Sequence, residues 1–233
     1  MGVSMKEILA VIPARSGSKS VVDKNIRLIN GKPLLAYSIE HAKQSSYITR
    51  TIVSTDSDKY AKIAKEYGAQ VPFIRPAEYA TDTALDFDVF NHALTFLRDE
   101  EGYVPDLVVQ LRPTYPIRNP KDIDHMIERM LLDSSIDSIR CVCKAQEIPY
   151  KMWLCKEDGM MEPLIKDIPE CYNMPRQQLP QVYYQNACID VIRTNVILEK
   201  KSMSGSKIAG YIMEENYDID TEAELEHAIK HFQ

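Results

Sequence analysis

Residues 14–25 read Ala-Arg-Ser-Gly-Ser-Lys-Ser-Val-Val-Asp-Lys-Asn, a small, polar, cationic segment directly after the apolar run Glu7 to Pro13. Small residues let a backbone approach phosphate groups, and free N–H groups in such a loop can form a nest around an anion. Arg15, Lys19 and Lys24 can then neutralise charge on phosphate oxygens. Near the other end of the chain stands Tyr217-Asp-Ile-Asp-Thr221. In an extended segment its two carboxylates, Asp218 and Asp220, point to the same side. Paired hard oxygen ligands suit Mg²⁺, which takes one or two carboxylates together with substrate phosphates. The bland alternatives are a solvated turn for the first segment, and for the second an Asp220 that only caps a helix beside a solvated Asp218. The two segments together suggest a nucleoside triphosphate held between cations and a metal.

The loop is neither of the common phosphate signatures, since the spacings Gly-x-x-x-x-Gly-Lys-Ser/Thr and Gly-x-Gly-x-x-Gly are both absent from it. Further polar clusters follow apolar strands. Gln110-Leu-Arg-Pro-Thr-Tyr-Pro-Ile-Arg118 offers Arg112 and Arg118 to carboxylate or phosphate oxygens, unless it is a proline-stiffened connector with Arg118 exposed. Arg75-Pro-Ala-Glu-Tyr-Ala-Thr-Asp-Thr83 places an arginine that could read a base edge before residues 81–83, which could equally start the next helix. Pro175-Arg-Gln-Gln-Leu-Pro180 and Gln185-Asn186 carry no role that spacing alone defines. His41, His92, His125, His227 and His231 all fall on expected helices; the i, i+4 pair His227 and His231 has no third ligand nearby. No Gly-x-Ser-x-Gly elbow is present.

These clusters need a scaffold. The chain has 233 residues with 45% hydrophobic content, enough for one large α/β domain with a small insertion. Strands are expected at Ile8–Pro13, Thr51–Ser54, Val71–Ile74, Leu107–Leu111, Ser138–Val142 and Ala187–Ile192, alternating with helices at Pro33–Gln44, Lys59–Tyr67, Asp86–Arg98 and Pro120–Leu132. This alternation predicts a mainly parallel sheet with helices on both faces, and ligands of such sheets bind at the carboxyl ends of strands. Asn119 before Pro120 reads as an N-cap, Thr221 with Glu224 as a capping box before a helix over Glu222–Phe232, and Gly68 as a helix stop. The alternation fails across 148–182, which holds five prolines and Trp153. That stretch is expected as an insertion between 1–147 and 183–233, with apolar side chains available for a subunit contact.

A net charge of −6 counts against a nucleic-acid partner. No run is apolar enough to cross a bilayer, no signal peptide opens the chain, and Met1–Lys6 reads as a short disordered start. Five cysteines without Cys-x-x-Cys spacing read as free thiols in a reducing cytoplasm rather than a zinc site.

Taken in order, seven segments resemble the CMP-N-acylneuraminate (sialic acid) synthetases, a family of cytidylyltransferases: Ile12-Pro-Ala-Arg-Ser-Gly-Ser-Lys19 with Lys24-Asn25, Val53-Ser-Thr-Asp56, Arg75-Pro-Ala-Glu78, Asp82-Thr83, Leu111-Arg-Pro-Thr-Tyr-Pro-Ile-Arg118, Pro175-Arg-Gln-Gln-Leu-Pro180 and Asp218-Ile-Asp-Thr221. The resemblance covers nearly the whole chain and implies a Rossmann-like nucleotidyltransferase fold. It implies a CTP site at Ala14, Arg15, Ser18, Lys19, Lys24, Asn25 and Arg75, and an acceptor site at Arg112, Thr114, Tyr115, Lys151, Arg176, Gln185 and Asn186. Asp218 and Asp220 would bind Mg²⁺ and act with Arg15 and Lys24 in catalysis. The 148–182 element would cross to the partner of a homodimer, carrying Lys151 and Arg176. The implied reaction is attack of the anomeric hydroxyl of a 2-keto sugar acid on CTP.

The chain also departs from the pattern of that family. Lys19-Ser20-Val-Val22 replaces Lys-Gly-x-Pro, Arg112-Pro-Thr-Tyr-Pro116 replaces Gln-Pro-Thr-Ser-Pro, and Asn186-Ala-Cys-Ile-Asp190 replaces Asn-Gly-x-x-Tyr. The last two departures fall at the expected sugar pocket. They point to CTP with an acceptor other than N-acetylneuraminate: a legionaminic- or pseudaminic-type acid, 3-deoxy-manno-octulosonate, or a phosphonate. A non-catalytic protein binding nucleotide sugars is the reading outside enzyme chemistry.

Overall fold

The computed structural model describes residues 6–214 and 216–231. Of the expected disordered start, only Lys6 falls within them, where it pairs with Asp106 at 2.8 Å; Phe232, the expected end of the last helix, lies outside. In chain order the elements are β1 (Ile8–Pro13), β2 (Leu28–Ile29), β3 (Lys32–Pro33), α1 (Leu34–Gln44), β4 (Arg50–Ser54), α2 (Asp58–Glu66), α3 (Asp86–Glu101), β5 (Leu107–Leu111), α4 (Pro120–Leu132), β6 (Ser138–Lys144), β7 (Trp153–Cys155), β8 (Met161–Pro163), β9 (Tyr183–Arg193), α5 (Thr194–Leu198), β10 (Ile208–Met213) and α6 (Glu222–His231), with short 3₁₀ turns between them.

Six strands form one mainly parallel sheet in the order β10-β6-β9-β5-β1-β4. β1 pairs in parallel with β4 on one side and β5 on the other, while β9 runs antiparallel to β5 with Gln110 opposite Asp190. The chain therefore leaves β1 for β4, then crosses back to β5 on β1's other side. That reversal opens a crevice at the carboxyl ends of β1 and β5.

Both faces of β1 are buried. Leu9 and Val11 join Phe90, Leu94 and Leu97 of α3 and Val196 and Ile197 of α5 in one core cluster. Ile8, Ala10 and Ile12 alternate onto the opposite face and are also fully buried. A second cluster packs Val21, Ile29, Leu34 and Tyr37 against Ile219, Leu225 and Ala228, tying the segment after the cationic loop to the C-terminal acidic segment.

Helix ends follow the expected chemistry. Thr221 Oγ1 accepts from the N–H of Glu224 at 3.2 Å, and Glu224 Oε2 accepts from the N–H of Thr221 at 2.8 Å, a closed capping box. Gly68 sits at φ +88° after α2; its N–H reaches the Lys65 carbonyl while that of Ala69 reaches Ala64, a Schellman stop. Asn119 Oδ1 accepts from the N–H of Lys121 at 3.1 Å at the start of α4. Asn119→Ala is expected to cost ~1 kcal/mol, and Asn119→Gly only a few tenths. For a chain of this size the alanine variant should lower Tm by about 2–4 °C in a thermal melt, and an unchanged Tm would mean the cap carries no stability.

Several elements differ from the sequence reading. No strand forms over Val71–Ile74; only Gln70 pairs with Ile52, because Pro72 has no N–H to continue the ladder. β9 is longer than expected, and the edge strand β10 and the five-residue α5 lack the length or the clean alternation that would mark them.

The chain forms two compact units, one of 1–141, 187–211 and 217–233, the other of 142–186 and 212–216. The smaller unit is wider than the expected 148–182 insertion because β6, β9 and β10 run on into it. It holds the antiparallel pair β7–β8, with Trp153 opposite Pro163 and the Trp153 ring 4.4 Å from that of Tyr172. All five cysteines are free thiols.

Candidate active site

A cleft of about 620 Å³ opens in the larger unit at the carboxyl ends of β1 and β5, within the size range of small-molecule sites. Of the residues expected to hold a nucleotide, Arg15, Ser18, Lys19, Lys24, Asn25 and Arg75 line it. Arg112, Thr114, Asp218 and Asp220 line it too, so the positive amino-terminal loop and the acidic carboxy-terminal segment share one volume.

The acidic pair is positioned by the residue between its members. Ile219 is 1% exposed, its side chain buried with Val21 and Ile29, so Asp218 and Asp220 turn to the cleft side of an extended segment. The N–H of Ile219 donates to the Thr114 carbonyl at 2.9 Å, pinning this segment to the residues after β5. Lys24 Nζ donates to the Ile219 carbonyl at 3.0 Å and to Asp220 Oδ1 at 2.9 Å. Burial pushes the Asp218 carboxyl above its ordinary range; a hydrogen bond from Thr114 opposes this, and the neighbouring Asp220 charge adds to it. Capping of α6 falls to Thr221, which leaves Asp220 free of that role.

The cationic loop is pinned from the end of β4. Asp56 accepts from the N–H of Ser16 at 2.8 Å and from its hydroxyl at 2.6 Å. Burial pushes the Asp56 carboxyl up, but these hydrogen bonds and the charge of Arg75 outweigh it and hold it below its usual value. Asn25, 8% exposed, donates to the Arg15 carbonyl at 2.9 Å.

Asp82 is the residue that the sequence reading left without a role. It pairs with Arg15 Nη2 at 2.8 Å and with Lys19 Nζ at 2.5 Å, occupying two of the three loop cations that line the cleft. Lys19 and then Arg15 hold its carboxyl below the ordinary range. Residues 81–83 do not begin a helix; α3 starts at Asp86, which itself pairs with Arg112 and accepts from Gln110 Nε2 at 3.3 Å. An aspartate between two threonines, close after a buried arginine, was the available signal.

Several of the expected site residues are engaged within the protein itself. Ala14 is fully buried and its N–H donates to the Ser54 carbonyl at 2.9 Å, so that group is not offered to a ligand. Arg75 lines the cleft but is 4% exposed, with Nε on Ser54 Oγ at 3.0 Å, Nη2 on the Ser54 carbonyl and Nη1 on that of Tyr79. Two of its hydrogen bonds brace β4 at Ser54, and burial lowers its pKa to about 10 against the pull of Asp56 and Asp86. Tyr115 does not line the cleft: it is fully buried, edge-on to Tyr217 at 6.5 Å. Arg118 is neither an anion ligand nor exposed; it is 6% exposed and bound to the carbonyls of Cys188 and Arg112.

Lys151, Arg176, Gln185 and Asn186 belong to the smaller unit. Lys151 Nζ donates to the carbonyls of Tyr172 (3.0 Å) and Met174 (2.9 Å), and Arg176 Nη1 to that of Gln146 at 3.1 Å. Gln185 is exposed, whereas Asn186 is 1% exposed and donates to Met213 Sδ at 3.4 Å.

Ala187, next along β9, lines the cleft with φ +56°. Left-handed backbone costs a residue with a Cβ roughly 1–2 kcal/mol. The position keeps the conformation that suits glycine while presenting a methyl group.

A site of this kind handles a charged nucleotide, and residues 9–231 match the family model described as Cytidylyltransferase. The chain belongs to the cytidylyltransferase family. It is 35% identical over 230 residues to a Campylobacter coli protein named post-translational flagellin modification protein B, covering 98% of this chain and 95% of that one. It is also 35% identical over 221 residues to the CMP-N,N'-diacetyllegionaminic acid synthase of Legionella pneumophila, covering 92% and 91%. Among solved structures it resembles a CMP:2-keto-3-deoxy-manno-octonic acid synthetase complexed with CTP, with a TM-score of 0.73 at 16% identity, over 97% of this chain and 98% of that one. The last likeness concerns the fold, which is a Rossmann-like nucleotidyltransferase fold. Among the described residues no helix is long and apolar enough to cross a membrane.

Proposed function

We propose that this cytidylyltransferase transfers CMP from CTP to the anomeric hydroxyl of a nonulosonic, sialic-acid-like 2-keto sugar acid and releases pyrophosphate. The observation that carries the reading is the single cleft lined by Arg15, Lys19 and Lys24 together with Asp218 and Asp220. The diacetyllegionaminic acid synthase at 35% identity supports the acceptor class.

In the reaction the acceptor oxygen forms a bond to the α-phosphorus as the bond from that phosphorus to the pyrophosphate oxygen breaks. The hydroxyl proton passes to solvent; among the described residues no histidine lines the cleft. The protein's work is positioning and neutralising charge. Arg15 and Lys19 meet the departing pyrophosphate, Ser18 and the loop backbone wrap the phosphates, and Asn25 and Arg75 form the end that takes the cytidine. Lys24, 12% exposed along its side chain, bridges the loop to the acidic segment and stabilises charge on the leaving oxygens. Arg112 and Thr114 face the acceptor, with Arg112 taking its carboxylate.

Asp218 and Asp220 fit a magnesium ion. Asp218 is a desolvated carboxyl beside a second carboxylate, an arrangement that a divalent cation relieves. A bound Mg²⁺ would neutralise phosphate oxygens and lower the pKa of the attacking hydroxyl.

The smaller unit supports a homodimer. Met152, Trp153, Leu154, Met161 and Leu164 are each at least 40% exposed, an apolar surface that a second copy would cover. Lys151 and Arg176 ride on this unit and would serve the acceptor site of the dimer. CTP as substrate and five free thiols suit a cytoplasmic enzyme.

The test is CTP and Mg²⁺ with a panel of nonulosonic acids, 3-deoxy-manno-octulosonate and a phosphonate, read as pyrophosphate release and as the CMP adduct by mass spectrometry. Turnover confined to the last two acceptors would replace the acceptor class, and CTP binding without any adduct would make the protein a nucleotide binder.

The pairing of Asp82 with two loop cations has its own consequence. A triphosphate must displace this carboxylate, so Asp82→Asn is expected to tighten pyrophosphate binding about 2- to 10-fold in calorimetry, the scale of exposed ion pairs. Weaker binding in the variant would mean that Asp82 helps hold the anion.

A further inference from the structure

Asp190 is a buried acidic side chain of the sheet that the proposed reaction does not use. It is 2% exposed, and its Oδ1 is buried with no hydrogen-bond partner. A buried carboxylate left incompletely satisfied is costly, and a protein keeps one where it does something.

Its place follows from the register. Asp190 on β9 is the cross-strand partner of Gln110 on β5, so their side chains share one face of the sheet. Gln110 Nε2 donates to Asp86 Oδ2, and the same oxygen receives Arg112 Nη2. Arg112 stands two residues beyond Gln110 and on its face. Gln110 and Arg112 thus meet at one oxygen of Asp86, on the sheet face that carries Asp190. Arg112 Nε is buried too, also with no hydrogen-bond partner. Arg140 Nε is buried without a hydrogen-bond partner as well, so Asp190 is the counter-charge of two arginines, Arg140 first and Arg112 second. The electrostatics agree: burial raises the Asp190 carboxyl, while the charges of Arg140 and then Arg112 pull it down and Asp86 pushes it up.

Resting on the reading of Arg112 as the acceptor-carboxylate ligand, we propose that Asp190 is a positioning residue for acceptor recognition: with Asp86 it clamps the Arg112 guanidinium from behind, so that the face turned to the cleft is presented in one orientation. Asp86 lines the cleft and holds the guanidinium at one edge, whereas Asp190 lies beneath and supplies the counter-charge. The strained Ala187, three residues before Asp190 on β9, lines the same cleft and delimits the room beside this arginine. The two departures at the expected sugar pocket, arginine at 112 and aspartate at 190, then form one unit. The cationic head needs the buried anion, and neither serves without the other. The acceptor class that such a pair favours is an acid whose carboxylate is gripped by a fixed guanidinium fork rather than by neutral amide groups.

The experiment is steady-state kinetics of pyrophosphate release, with CTP, Mg²⁺ and the acceptor that the panel identifies, on Asp190→Asn, Arg112→Gln and the double variant. Asp190→Asn keeps the shape and removes the charge. It is expected to raise acceptor KM roughly tenfold or more, the scale of one charge-assisted contact, with the KM for CTP and the Tm essentially unchanged. A merely structural role would move Tm and both KM values together. Arg112→Gln should raise acceptor KM at least as much, and the double variant should be no worse than Arg112→Gln alone, because Asp190 acts through Arg112. If Arg112→Gln is impaired for the acceptor but Asp190→Asn is not, or if the two losses multiply in the double variant, the clamp is wrong and Arg112 acts alone. If Arg112→Gln leaves acceptor KM unchanged, the reading of Arg112 fails instead, and the clamp with it.

Discussion

Asp218→Asn is expected to lose pyrophosphate-releasing turnover by ~10²- to 10³-fold, the scale of removing one preorganised electrostatic group from an active site, with the fold intact. Asparagine has the same shape and still accepts from the N–H of Ile219, which now donates to Asp218 Oδ1 at 3.1 Å and to the Thr114 carbonyl. What it removes is the negative charge that the cleft sets against substrate and metal. Asp218 is the more buried of the pair, and desolvation makes each unit of its charge act more strongly than the same charge in water. Asp220 has a side chain 70% exposed and already shares a proton donor, Lys24 Nζ. Asp220→Ala is accordingly expected to lose ~10²-fold or more and, in addition, to free Lys24, which should raise the KM for CTP; Asp218→Asn should leave that KM closer to normal. The assay is turnover at saturating CTP and Mg²⁺, with circular dichroism and thermal melts beside it. Near-normal rates for Asp218→Asn would remove the acidic pair from the chemistry and leave the cationic loop as a binding element alone.

The parts of this site that could be read from the chain are those defined by local rules. The strand-then-loop pattern at 8–19 placed cations at a strand's carboxyl end, and the Asp-x-Asp spacing placed two carboxylates on one side of an extended segment. Caps at Asn119, Thr221 and Gly68 obey spacing alone. What sequence did not carry is whatever depends on which strands are neighbours. Gln110 lies opposite Asp190 only because β9 inserts antiparallel beside β5, a pairing between residues far apart in the chain. Asp82 meets Arg15 and Lys19 only because the 77–84 loop returns over β1 and β4 to the cleft. Arginines were the least legible residues. Two of them follow strands, at 15 and 112, a third stands at 75 after a segment that only sequence marks as a strand, and a fourth ends the 110–118 segment, yet only burial separates those that face solvent from those that brace the backbone. Composition and spacing treat them alike, because a guanidinium's five donors serve a phosphate and a set of carbonyls equally well.

Arg118 shows the difference most sharply, and Arg118→Met is expected to be strongly destabilising. The side chain is 6% exposed and donates to the Cys188 carbonyl through Nε (3.2 Å) and Nη2 (2.8 Å), to the Arg112 carbonyl at 3.0 Å and to Ser38 Oγ at 3.2 Å. Methionine fills the stem but leaves the two carbonyls without this donor inside the protein, at ~1–3 kcal/mol each, or about 2–6 kcal/mol together. Tm should fall by roughly 2–4 °C per kcal/mol, a loss that differential scanning calorimetry resolves easily. Because those carbonyls lie directly after β5 at Arg112 and in β9 at Cys188, the strands that carry the acceptor-side residues should loosen first. Half-buried beside it, His41 has its pKa lowered to about 3, by desolvation first and then by the Arg118 charge. A histidine depressed in this way contributes stability that is complete above its unfolded pKa near 6.5 and is progressively lost as pH falls from there toward 3. Removing the arginine's charge relieves part of that depression, so the variant should lose less stability per pH unit between 6.5 and 3 than the parent does. A variant that melts with the parent, and with the same acid slope, would mean that Arg118 braces nothing and that its buried charge has been assigned the wrong neighbours.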